Sequence, residues 1–151
     1  WSMAGCQPGA PDGADQPDRS APALRAEAPI VLELFTSQGC SSCPPADALL
    51  SRLSRDPALK GRILPLAFHV DYWNYIGWND PFSSGRWTER QHDYGRIFQS
   101  RSIYTPQLVV NGQAELIGSD EARVRAAIAR AASTNTGSSS TAPPQWRSRS
   151  A

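Results

Sequence analysis

The chain has 151 residues, enough for one domain with a sizeable core. Its 15 basic and 14 acidic side chains leave a net charge of +1 and are scattered, so there is no electrostatic case for a nucleic-acid or strongly acidic partner. No stretch approaches the roughly 18 apolar residues of a membrane-spanning helix.

Residues 1–28 hold few apolar side chains and no periodicity, and read as a disordered linker. Within them "SMAGC" resembles the end of a bacterial lipoprotein signal, in which small residues precede a lipidated cysteine. That resemblance makes Cys6 a candidate lipidation site and the linker a tether, and implies a hydrophobic leader lost from the start of the chain. The ordered domain is expected over residues 29–132.

The domain opens with "IVLELF" (Ile30–Phe35), an apolar run that predicts a strand buried on both faces. After Cys40 and Cys43 comes a helix: Pro44 and Pro45 suit its first turn, Asp47 suits its positive end, and Ala46, Leu49, Leu50 and Leu53 share one face. "RILPLAFHV" (Arg62–Val70) predicts a second buried strand, with Pro65 at odds with its start. A long loop rich in aromatic residues, Asp71–Trp87, leads to an irregular helix over Arg86–Arg101. Gln107–Gly118 reads as a hairpin around Asn111-Gly112. Ser119–Ala132 reads as a helix capped by Ser119 or Asp120, with Val124, Ala127, Ile128 and Ala131 as its buried stripe. Residues 133–151 read as a disordered tail. The order β-α-β-α-β-β-α predicts an α/β domain, one mixed sheet with helices on both faces.

The spacing Cys40-Ser41-Ser42-Cys43 at a strand-to-helix junction has a direct chemical use. Unpaired N–H groups and the dipole at a helix N-terminus favour a thiolate, so Cys40 becomes the nucleophile, exposed to its substrate. Cys43 is placed to attack the resulting mixed disulfide and release it. A static disulfide or two buried thiols would fit the same spacing. Zinc would need two further ligands, and the sequence offers no second Cys-x-x-Cys or His-x-x-x-His. Copper held by Cys40, Cys43 and either His69 or His92 suits thiolate and imidazole chemistry; His69 as an ordinary core histidine is the plainer alternative.

Thr105-Pro106 stands at the mouth of the hairpin, where a missing N–H needs a purpose. A cis bond there would turn the chain sharply and set the Thr105 backbone beside Cys40, as an edge on which an extended peptide can pair. A trans proline opening an ordinary strand is the alternative.

Taken together, the strand, "CSSC", helix, "ILPLAFHV", helix, "YTP", hairpin and last helix resemble the thioredoxin superfamily. "ELFTSQGCSSCPPAD", "AFHVDYWNYIGWNDPF" and "YTPQLVVNG" look more narrowly like a bacterial family of secreted thioredoxin-like proteins, domain-of-unknown-function family 1223. The resemblance implies a thioredoxin-like fold, Cys40 and Cys43 as a dithiol, Pro106 as the cis-proline and a location outside the cytoplasm. Members of that family usually continue into a second, β-rich region, where this chain carries a Ser/Pro/Arg-rich segment, so a shortened member is expected.

Other residues support the site. Glu33 inside the first strand needs a partner or a function. The resemblance implies a proton-relay role toward Cys43, although Glu33 stands one residue further from the motif than in thioredoxins. Exposure at a sheet edge is its alternative. In the long loop, Tyr72, Trp73, Tyr75, Trp78, Phe82 and Trp87 are either one wall of a substrate groove or an aromatic cluster closing the sheet end. Tyr72, Trp73, Trp78 and Tyr104 are the candidate substrate-binding residues, and Ser37, Gln38, Ser41 and Ser42 border the cysteines. The expected activity is thiol–disulfide exchange without a cofactor, on a protein or small-thiol substrate and with a partner redox protein. Copper or peptide binding without turnover, and an interaction domain with an inert disulfide, are the alternatives.

Overall fold

The computed structural model describes residues 28–137; the expected linker with Cys6, and the segment beyond residue 137, lie outside the described residues. The elements are β1 (Ile30–Thr36), α1 (Pro44–Arg55), β2 (Ile63–His69), a 3-10 turn (Asn74–Ile76), α2 (Gly85–Phe98), β3 (Gln107–Val110), β4 (Ala114–Ile117) and α3 (Glu121–Gly137). The sheet has the order β2-β1-β3-β4, with β1 parallel to β2 and antiparallel to β3, and β3 antiparallel to β4. This mixed sheet flanked by three helices is compatible with a thioredoxin-like fold.

Local chemistry explains the boundaries. Prolines open α1, Asp47 sits in its first turn and Arg52 and Arg55 in its last, matching the helix dipole. Ser84 caps α2 by accepting from the Arg86 N–H, and Gln99 ends it in the left-handed region, so the helix stops at Phe98 rather than Arg101. Asp120 caps α3 through the Arg123 N–H. The hairpin turns at Asn111 and Gly112, both at positive φ. The Asn111 side chain also accepts a 2.8 Å hydrogen bond from the Val31 N–H, tying the turn to β1.

Side chains alternate across the strands, so one face meets α1 and α3 and the other meets α2. On the first face Ile30, Leu32, Leu34, Leu108 and Val110 pack with Leu49 and Leu53 of α1 and Val124, Ala127, Ile128 and Ala131 of α3. On the second, Phe35 and Val109 pack with Phe68, Tyr94 and Phe98.

Three expectations are corrected. β2 is an edge strand rather than a buried one, and Leu64 on it is 45% exposed. An edge position also accommodates Pro65, whose missing donor breaks no inner ladder. β1, by contrast, lies between β2 and β3, so Glu33 is buried and not at an edge. The last helix continues through Gly137, past the expected tail boundary.

Candidate active site

Cys40 and Cys43 are joined in a disulfide, with Cα atoms 5.4 Å apart. Cys43 is the N-cap of α1, and its carbonyl accepts from the N–H groups of Ala46 and Asp47 at 2.9 and 3.1 Å. The motif is approached by a tight turn in which the Cys40 N–H meets the Ser37 carbonyl at 3.1 Å.

The Thr105–Pro106 bond is cis. Thr105 Oγ1 donates to Cys40 Sγ at 3.2 Å and accepts from Trp73 Nε1 at 2.8 Å. Ser42 Oγ reaches the Thr105 carbonyl at 3.4 Å and lies 3.5 Å from Cys40 Sγ. The structure therefore brings Cys40, Ser42, Trp73, Thr105 and Pro106 together. It does not leave Cys40 open as expected: Cys40 is 2% exposed and Cys43 fully buried. The long loop lies against the turn that precedes the motif and against Thr105. A Cβ added at Gly39 would lie 3.1 Å from the Trp73 Cβ, 3.2 Å from its carbonyl oxygen and 3.3 Å from the Ile76 Cδ1, so the loop packs tightly on this glycine.

Hydrogen bonds fix this loop onto the motif. Asp80, buried at its centre, accepts from the Gln38 N–H at 2.9 Å, the Phe82 N–H at 2.9 Å and His69 Nδ1 at 2.6 Å. Burial alone would raise the Asp80 pKa, but the Gln38 N–H, His69 and the Phe82 N–H together hold it below the usual carboxylate range. Trp78 Nε1 donates to Gln38 Oε1 at 2.9 Å. The expected aromatic set accordingly divides. Tyr72, Trp73 and Trp87 are half-buried packing residues, whereas Tyr75, Trp78 and Phe82 are exposed. Tyr104 is half-buried, and burial beside Glu115 pushes its hydroxyl pKa up to about 12.

Glu33 is not brought to the cysteines. It sits on the α2 face, where Arg90 and the Tyr94 hydroxyl bind both its oxygens, while the cysteine helix packs on the opposite face. Burial and the Glu33 carboxylate push the Tyr94 pKa up to about 12. A residue facing Arg90 cannot relay protons to Cys43, which corrects the expected role. His69 is engaged by Asp80, His92 is exposed on α2, and no group of three His, Cys, Asp or Glu side chains among the described residues is placed to share a metal ion.

Further residues shape the site without having been singled out from sequence. Gln91, fully buried on α2, donates to the Tyr104 carbonyl at 2.7 Å and to Gln107 Oε1 at 3.0 Å, holding the segment before Pro106. Gly118 passes so close to Leu34 that an added Cβ would lie 2.7 Å from the Leu34 Cδ1. Asp80 had a local signal, since Asn-Asp-Pro favours a turn whose side chain bonds the backbone two residues on.

Fold and site together define an α/β domain of thioredoxin-like architecture, with a Cys-x-x-Cys disulfide at a helix N-terminus facing a cis-proline. The chain belongs to the family described as protein of unknown function (DUF1223), which matches residues 31–148. It is similar to the crystal structure of protein AGR_C_4864 from Agrobacterium tumefaciens, with 42% sequence identity and a TM-score of 0.62. That match covers 72% of this chain and 46% of the other, so this chain spans less than half of that protein's length. No curated protein matches the chain. Among the described residues, no helix is long and apolar enough to cross a membrane.

Proposed function

We propose that the domain carries out thiol–disulfide exchange, with Cys40 as nucleophile and Cys43 as resolving thiol. The observation that supports this best is the hydroxyl of Thr105, in a cis Thr-Pro pair, donating to Cys40 Sγ at 3.2 Å. A donor there stabilises a Cys40 thiolate, and the α1 N-terminus adds its partial positive charge. The substrate is a disulfide-bonded protein or a small thiol, docked along Thr105 and the exposed Trp78. A partner redox protein resets the pair. We place the activity outside the cytoplasm, where disulfides persist, with Cys6 as the point of lipid attachment.

The burial of Cys40 favours a second reading, an inert buried disulfide. Insulin reduction by dithiothreitol separates the two. Substoichiometric protein accelerates the reaction under the exchange reading, and Cys40→Ser abolishes the acceleration. A wild-type protein that leaves the rate unchanged, its disulfide resisting dithiothreitol while folded, establishes the inert reading.

A further inference from the structure

Thiol–disulfide exchange requires a step for which Glu33 is on the wrong face. Once Cys40 is bonded to a substrate sulfur, the buried Cys43 thiol must lose its proton before it can attack, and burial opposes that loss. The cysteine helix itself carries a carboxylate one turn further on. The Asp47 N–H bonds the Cys43 carbonyl at 3.1 Å, and helical side chains lean back over the preceding turn, which here is the turn of Cys43. Asp47 Oδ1 accepts a 2.7 Å hydrogen bond from Thr36, whose hydroxyl is buried at the C-terminal end of β1. The carboxyl is thereby tied to the end of the strand that leads into the motif, on a residue that is itself exposed to solvent.

Thr36 and His69 are paired in the β1–β2 register and lie on the same face, and His69 is held in turn by Asp80. The titratable groups around Asp47 are therefore His69 from β2, Asp80 from the loop and Cys43 from its own helix. Burial raises the Asp47 pKa, the Thr36 hydrogen bond and His69 lower it, Asp80 raises it, and the net direction is upward. Such a shift brings a carboxylate closer to the basicity that proton transfer from a thiol needs.

We propose that Asp47 is the proton acceptor for Cys43 in the resolving step, with Thr36, His69 and Asp80 as positioning residues. This rests on the exchange reading. The Asp47 carboxylate takes the Cys43 Sγ proton, directly or through one water. The Cys43 thiolate then attacks Cys40 Sγ, the bond between Cys40 and the substrate sulfur breaks, and the substrate leaves as a thiolate that takes a proton from Asp47 or water. Two electrons pass from the protein dithiol to the substrate disulfide, oxidising the Cys40–Cys43 pair.

The test is stopped-flow reaction of the reduced full chain, in a Cys6→Ser background, with equimolar dithiobis(nitrobenzoate). Attack by Cys40 releases one coloured thiol and resolution by Cys43 releases the second. Asp47→Asn keeps an acceptor for Thr36 and so preserves the fold, which a thermal melt verifies. It is expected to leave the first release unchanged and to slow the second roughly 100-fold, the size of a typical general-base contribution. In wild type the second rate holds level with falling pH until Asp47 is protonated, whereas in the variant it follows ionisation of the Cys43 thiol itself and rises steadily with pH through the neutral range. An unchanged second release, or an equal slowing of both, overturns the role of Asp47. Absence of both releases in the Cys6→Ser parent overturns the exchange reading instead.

Discussion

Against α1 and α3 the sheet turns Leu32, Leu34, Leu108 and Val110, and the core there is aliphatic, with the Thr36–Asp47 hydrogen bond at the end of β1. Against α2 the same strands turn Glu33, Gln107 and Glu115, bound to Arg90, Tyr94, Gln91 and Ser100 around a smaller core of Phe35 and Val109. Aliphatic burial is non-directional and scales with the area removed from water. Hydrogen bonds between buried polar groups add little net stability but fix positions. One face therefore holds the domain together. The other orients the Tyr104–Pro106 segment through Gln91, and with it the hydroxyl beside Cys40.

That division can be broken by mutation. The largest effect is expected for Leu49→Ala on the aliphatic face, a loss of about 4 kcal/mol from transfer and cavity terms, read from urea unfolding. A loss under roughly 1 kcal/mol would mean that this face does not carry the stability. Arg90→Leu, which strands the buried Glu33 carboxylate, is expected to cost roughly 3 kcal/mol. Adding Glu33→Leu should recover most of that cost, because an apolar pair can replace a buried ion pair with little penalty. Failure of the double variant to recover would make the polar face a source of stability in its own right.

The pH dependence sharpens the comparison further. The folded-state pKa of Asp80 is depressed, so its contribution is complete above the ordinary carboxylate pKa of about 4 and is lost as pH falls through the lower folded value. Asp47, with a raised pKa, has the opposite sign: its contribution is present at low pH and lost as pH rises through the folded value. Unfolding measured across the acid range should therefore show a low-pH loss that Asp80→Asn flattens and Asp47→Asn does not. The smallest effect is expected for exposed Trp78→Ala, within about 0.5 kcal/mol in unfolding while insulin reduction slows.

Much of this architecture was legible in local sequence. The apolar run of β1, the double proline opening α1, Asn111-Gly112 and the stripe from Val124 to Ala131 each carry their own signal within a few residues. At Thr105-Pro106 the residues alone left cis and trans open; the family resemblance implied the cis bond that the structure has. What escaped was set by strand order and by partners distant in sequence. The edge position of β2 follows from which strands pair, and hydrophobic content alone does not encode it. The partner of Glu33 is Arg90, far along the chain, so its face could not be read from the spacing to Cys40. The seating of the loop beside the motif depends on Asp80 reaching back to Gln38 across the whole loop.

The most direct test of the central claim is the reduction potential of the Cys40–Cys43 pair, obtained by equilibration against glutathione in a Cys6→Ser background. Exchange chemistry predicts a value between roughly −270 and −120 mV, the range spanned by known thiol–disulfide exchangers. A value below about −300 mV would contradict it and make the pair a structural disulfide.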